Sequence, residues 1–260
     1  MLKLVVALTT ACGTGSSRPA SPARAPCLAR IAPSNDAPTV VLYERGAWTD
    51  NHFPTIAVWR SGDVIFKSDD PTRELQGSIG AAAAEQLIAD VARRLRDVPA
   101  HDQTKRMSDA PTVEIAVRDG GTWRIADVYG AMRGDHRPAG FAQAYRELVA
   151  ARPKQGTAFQ PVDILVHVAG YDSALGDPLP WPSDVPAPAP TLVPRDDGIS
   201  DSFIVDAKFR PSLEQLIQAA SRGNPPWPIG FNGHKWSVHP IARFRGQEHI
   251  EAVLECARDE

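Results

Sequence analysis

Along most of this chain apolar and polar residues alternate in short runs, broken by four stretches in which apolar residues recur at three-to-four spacing. Val40-Val41-Leu42-Tyr43 reads as a short strand. Residues 56–60 and 64–67 are β-rich runs on either side of Ser61-Gly62-Asp63, the pattern of a hairpin. Ser78 then has the character of an N-cap for an Ala-rich helix whose Leu87, Ile88, Val91 and Leu95 share one face, and Pro99 stops it. The same order returns further on. After Pro111-Thr112, Val113, Ile115 and Val117 alternate, Arg118-Asp119-Gly120-Gly121 turns, residues 123–126 run back, and a helix carries Phe141, Tyr145, Leu148 and Val149 on one face.

These segments read as two ββα units. Pro54-Thr55 before Ile56-Ala57-Val58 matches Pro111-Thr112 before Ile115-Ala116-Val117, which suits a degenerate duplication; short strands and turns also converge on such a likeness by chance. Residues 162–168 alternate as another strand. Prolines crowd residues 178–194 and favour an extended polyproline stretch. Residues 203–209 read as a strand, Ser212 and Gln215 have capping-box spacing before Leu213, Leu216, Ile217 and Ala220, residues 236–244 read as a strand interrupted at Pro240, and Ile250, Val253, Leu254 and Ala257 mark a last helix. Hairpins mixed with helices predict an α+β fold with a largely antiparallel sheet. Its parts are a core over residues 39–170 holding the two ββα units, a Pro-rich linker or loop over 171–200, and a C-terminal βαβα segment over 201–260 packed on that core.

Composition narrows the partners. A hydrophobic share of 43% and a charged share of 23% are those of a globular protein. The net charge of -3, with 28 Lys and Arg scattered among 31 acids, argues against nucleic acid as a partner. No apolar run is long enough to cross a bilayer.

The first residues carry an address. Lys3 is a positive charge, residues 4–8 are apolar, and Thr9-Thr10-Ala11 are small residues ahead of Cys12, the order of a secretory signal. This segment resembles the signal and lipobox of a bacterial lipoprotein precursor, with Thr9 where that motif usually has Leu. The resemblance covers these residues only. It implies a signal peptide over 1–11, diacylation of Cys12, and a partner in the membrane through that lipid anchor. Residues 12–38, rich in Gly, Ser, Ala and Pro, have the composition of a flexible tether. Export would place the chain in an oxidising compartment. With Cys12 taken by lipid, two of the three cysteines remain, and a Cys27–Cys256 disulfide is expected.

No catalytic motif stands out. Of seven histidines, only His234, His239 and His249 cluster, with Glu248; in a strand His234 and His239 would point to opposite faces, so a metal site is not expected. Gln76-Gly77-Ser78-Ile79-Gly80 lacks the first Gly of a nucleophile elbow. Arg133-Gly134-Asp135 reads as a tight loop, and the pairs Asp69-Asp70 and Asp196-Asp197 as solvated acids beside turns. No cofactor motif is present. More suggestive are Pro180-Trp181-Pro182 and Pro226-Trp227-Pro228, one tripeptide in two loops; a Trp held between prolines is pre-ordered, so Trp181 and Trp227 are the candidate binding residues, unless each folds back over its own core. The chain thus reads as an exported, lipid-anchored envelope protein, a non-catalytic binding or scaffold module for an envelope protein or polymer. The alternative is an envelope hydrolase or metal-dependent enzyme whose site is assembled from residues distant in sequence.

Overall fold

The computed structural model describes residues 27–32, 34–45, 53–70, 73–102, 111–129, 138–171, 176–194, 201–223 and 225–258. In chain order these form β1 (Val40–Arg45), β2 (Ile56–Val58), β3 (Asp63–Lys67), β4 (Glu74–Ser78), α1 (Ala81–Arg94), β5 (His101–Asp102), β6 (Thr112–Asp119), β7 (Thr122–Tyr129), α2 (Ala139–Ala150), β8 (Thr157–Ala158) and β9 (Asp163–Gly170). Then come β10 (Leu179–Pro180), β11 (Asp201–Asp206), α3 (Arg210–Ala220), β12 (Ile229–Phe231), β13 (His234–Arg243) and α4 (Gln247–Arg258). The fold is α+β with two largely antiparallel sheets, ordered β5-β7-β6-β1-β2-β3-β4-β8 and β10-β12-β13-β9-β11.

The eight-stranded sheet is covered on both faces. On one, Leu42, Ile56, Ile115 and Val117 meet Ile88 and Val91 of α1 and Phe141 and Leu148 of α2. On the other, Val41, Tyr43, Ala57 and Ala116 meet Ile250, Val253 and Leu254 of α4. Each large side chain so buried stabilises by roughly 1.5–3 kcal/mol, and double coverage is why β1 is apolar at consecutive positions rather than alternate ones. The five-stranded sheet packs one face on α3, through Ile164, Val166 and Val168 of β9, Trp236 and Val238 of β13, and Leu213 and Leu216.

Both hairpins expected from sequence form, β2 with β3 and β6 with β7. The first unit, however, has a third strand: β4 pairs with β3 through Ser78, opposite Asp63. Ser78 therefore belongs to a strand and does not cap α1. That helix starts after Gly80, whose φ of 80° turns the chain, and the Ser78 hydroxyl only accepts from the Gly80 amide at 3.1 Å. Ser212 is likewise not an N-cap. Pro211 fits the first turn of α3, which begins at Arg210, and leaves the Ser212 hydroxyl to donate to Asp184. The strand expected over 203–209 ends at Asp206, whose carboxylate caps a 3-10 turn over Ala207–Phe209.

Three segments are placed by the pairing and packing of the two sheets. Strand β9, assigned to the first core, belongs to the second sheet between β11 and β13. The Pro-rich stretch is a loop packed on that sheet, with β10 paired to β12 and Val185 and Leu192 in its core. Residues 27–32 and 34–38, expected at the end of the tether, are part of the fold: Cys27–Arg30 form a 3-10 turn, Leu28 and Ile31 pack beneath α4's side of the first sheet, and Ala37 is buried there. Residues 1–26, including the signal and Cys12, lie outside the described residues, as do Arg133-Gly134-Asp135 and Asp196-Asp197.

Candidate functional site

The β2–β3 turn is built around Trp59. Its amide donates to the Asp63 carbonyl at 2.9 Å, and its own carbonyl accepts from Gly62 at 2.9 Å. Gly62 has φ +92° and lies against the start of α1, where an added Cβ would fall 2.4 Å from the Gly80 carbonyl carbon; no other residue fits. The Trp59 indole is 5% exposed, donates to the Asp36 carbonyl at 2.9 Å, and meets Phe244 edge-on at 6.0 Å. At the other side Gly246, φ +79°, lets residues 36–37 cross the β13–α4 turn, since a Cβ there would lie 2.4 Å from the Ala37 Cα. That crossing sets Arg245 with its guanidinium 5.8 Å from the Trp59 ring.

Trp59 and Arg245 form the common wall of two adjoining cavities. One, of about 310 Å³, runs toward β4 and β8 and is amphipathic, with Ile65, Phe159, Phe244 and Val162 beside Gln76 and Gln160. The other, of about 430 Å³, lies where residues 35–39 pass the ends of β2 and β6, and Arg60, Arg118 and Arg245 surround it. Arg118 is held in place: it donates to the Ser34 carbonyl at 3.0 Å and lies 5.8 Å from the Trp123 ring. Burial, and then the charge of Arg60, pulls its pKa below the ordinary guanidinium value. Among the described residues neither lining contains a histidine or cysteine, and no group of three or more His, Cys, Asp or Glu could hold a metal ion.

The histidines singled out by sequence are separated. His239 lies on the face of β13 away from Trp236 and Val238, across from His167 of β9; His234 lies beside Trp236 at 6.3 Å; His249 is on α4, beside Trp123 at 6.0 Å. Nor do the two tryptophans make one platform. Trp181 follows β10 and Trp227 precedes β12, and because those strands run parallel, the residues lie four positions apart in register, roughly 13 Å at about 3.3 Å per residue. Trp181 lies over the second core, 5.3 Å from the Phe231 ring and 5.9 Å from Phe203, its indole donating to the Val185 carbonyl at 3.2 Å. Trp227 is 45% exposed. Asp69 is in solvent, 3.5 Å from Arg152.

Cys27 and Cys256 stand at disulfide distance, with Cα atoms 5.6 Å apart across 229 residues of sequence, inside the usual range for a bridged pair. The bridge joins the start of the described fold to α4. Among the described residues no helix is long and apolar enough to cross a membrane. Compared with family models, curated proteins and solved structures, the chain matches none.

The arginine pocket was not found from sequence. Arg60, Arg118 and Arg245 come from three separate segments, and each is ordinary in its own neighbourhood. The one available signal was Trp-Arg at 59–60 in a hairpin turn.

Proposed function

We propose that this chain is an exported, lipid-anchored envelope protein whose folded part is a non-catalytic binding module, and that it binds through the groove over Trp59. The carrying observation is the pair of cavities sharing Trp59 and Arg245, one amphipathic and one cationic, held by two glycines at which a side chain would clash. Concave sites with apolar walls and a few convergent polar groups are where small ligands and polymer ends bind. The signal-like order of residues 1–12 supports export, and a cysteine pair at disulfide distance suits an oxidising compartment.

The anchor is tested on protein made in a bacterium. Mature chain should partition into detergent with diacylglycerol mass on Cys12, and Cys12→Ser should be released or left unprocessed; wild-type protein recovered soluble with Met1 intact would overturn export. The groove is tested with a photo-crosslinking residue at Gln160, on its rim, against one at Glu85, on the solvent side of α1. An envelope adduct from position 160 and none from 85 is expected; equal yields would sink the assignment.

A further inference from the structure

Resting on the groove as the binding site, we infer that its arginine end is a receptor for a phosphate ester, the phosphoryl group lying among Arg60, Arg118 and Arg245 and the esterified group passing Trp59 into the amphipathic cavity. Among the described residues the lining of the 430 Å³ cavity contains no carboxylate: beside the three guanidiniums stand the Asn35 amide, the backbone of Gly121 and Ser61, whose hydroxyl donates to Asp63 at the cavity's edge at 2.7 Å. Arg60 and Arg245 are exposed, but Arg118 is partly buried, and other partly buried guanidiniums of the chain face acids. Arg210 donates to Glu74 and Glu214, Arg94 to Glu147, and Arg243 to Asp163. Among the described residues Arg60 and Arg118 have no carboxylate partner, and Arg245 approaches only Asp63, at 3.9 Å.

Gathering like charges costs free energy, and the charge of Arg60 adds to burial, the larger cause, in lowering the pKa of Arg118. An oxyanion removes that cost, because guanidinium–phosphate hydrogen bonds are charge-assisted and often bidentate. One of the three charges is fixed in advance: Arg118 is tied to Ser34 and placed at Trp123, so little of its side-chain entropy is lost on binding. Arg245 lies 5.8 Å from the Trp59 ring. Three cations and several neutral donors suit a phosphoryl group, with its three or four oxygens, better than a single carboxylate. The second cavity, about 310 Å³ and on the other side of the wall formed by Trp59 and Arg245, offers room for an ester substituent.

The test uses the full chain carrying Cys12→Ser, so that no acyl chain contributes, titrated calorimetrically with glycerol 3-phosphate and with glycerol. In parallel its sedimentation with phosphatidylglycerol vesicles is compared with that on phosphatidylcholine vesicles. Glycerol 3-phosphate should bind and glycerol should not, binding should weaken as salt rises, and Arg118→Gln and Arg60→Gln should each weaken it about tenfold or more. Should Arg118→Gln disturb folding, Ser61→Asp on the exposed turn puts a carboxylate at the pocket without touching the core, and it should weaken binding to a similar degree. Binding of the soluble ester alone assigns a small phosphorylated ligand; Arg60-dependent binding to phosphatidylglycerol vesicles assigns a lipid headgroup; either supports the phosphate receptor. No binding of either probe, or binding indifferent to Arg60→Gln and Ser61→Asp, overturns it. Loss of the position-160 adduct with phosphate binding intact would overturn the envelope-partner reading alone.

Discussion

In the eight-stranded sheet, β1 carries Val40-Val41-Leu42-Tyr43, and none of the four is more than 2% exposed. In the five-stranded sheet, β9 hides Ile164, Val166 and Val168 while Leu165, His167 and Ala169 between them are only half-buried. Both are largely antiparallel sheets of similar strand length. The difference lies in what lies over them. Two helices cover one side of the first sheet and α4 the other, whereas α3 covers one side of the second and its opposite side carries Ser202, Ile204 and Asp206 of β11 into solvent. Coverage, rather than strand propensity, sets whether a run is continuous or alternating. The connection between the regions is covalent: α4 follows β13 of the second sheet directly and closes the first. The groove over Trp59 lies beside that junction.

The largest effect that separates the regions is a truncation in each. Leu42→Ala, in a fully buried position, should cost about 2–5 kcal/mol. Ile204→Ser, on the open face where the side chain is 55% exposed, should stay within about 0.5 kcal/mol. Denaturant titration of both variants checks this. Equal losses would mean that the open face is covered in solution and that the contrast drawn from burial is wrong.

The disulfide sharpens the same contrast at somewhat smaller scale. Closing so long a loop is worth up to roughly 5 kcal/mol in the chain-entropy model, and removal of native bridges costs about 2–5 kcal/mol. Cys256→Ser should therefore lower stability by about 2–4 kcal/mol. Because Cys256 is buried at 3% exposure on α4, the loss of amide-exchange protection should fall first on α4 and spare β9. Free-thiol labelling of both Cys27 and Cys256 in oxidised protein, or uniform loss of protection across both sheets, would contradict this.

Much of the architecture was legible because local pattern carried it. The two hairpins have β-rich runs and turn glycines, and all four helices show a one-faced apolar spacing. Strand β4 was hidden because Glu74-Leu75-Gln76-Gly77-Ser78 has no β-rich alternation; it is a half-buried strand whose pairing with β3, not its composition, holds it extended. The central place of β1, between β2 and β6, is a long-range pairing that no local window contains. The same limit hid the arginine pocket, where residues 60, 118 and 245 meet. Trp181 and Trp227 were conspicuous as repeated tripeptides, but parallel pairing of β10 with β12 spaces them apart, and tertiary packing turns Trp181 onto the core.

The smallest effect expected concerns His249, on the face of α4 that meets the first sheet. Its ring lies 6.0 Å from Trp123, and its buried Nε2 has no hydrogen-bond partner in the described structure. Burial, and then the charge of Arg118, holds its pKa below the ordinary histidine value. The fold therefore favours neutral imidazole. Above the unfolded pKa of about 6.5 both states are neutral and the group's contribution is complete. As pH falls below that value the unfolded chain takes up a proton before the folded one, so stability is lost until pH has passed through the lower folded pKa, after which the loss levels off. His249→Leu removes this dependence while keeping apolar contact with Trp123, and replacing an unpartnered polar atom by an apolar one is nearly neutral or stabilising at high pH. Denaturation midpoints at pH 8 should accordingly be close for the two proteins, and at pH 5 wild type should have fallen further than the variant. Arg118→Gln should narrow that gap by removing the second cause, while leaving burial, the larger one. Parallel profiles for wild type and His249→Leu from pH 8 to 5 would show that the imidazole reaches solvent and that α4 seals the second face of the first sheet less tightly than its packing indicates.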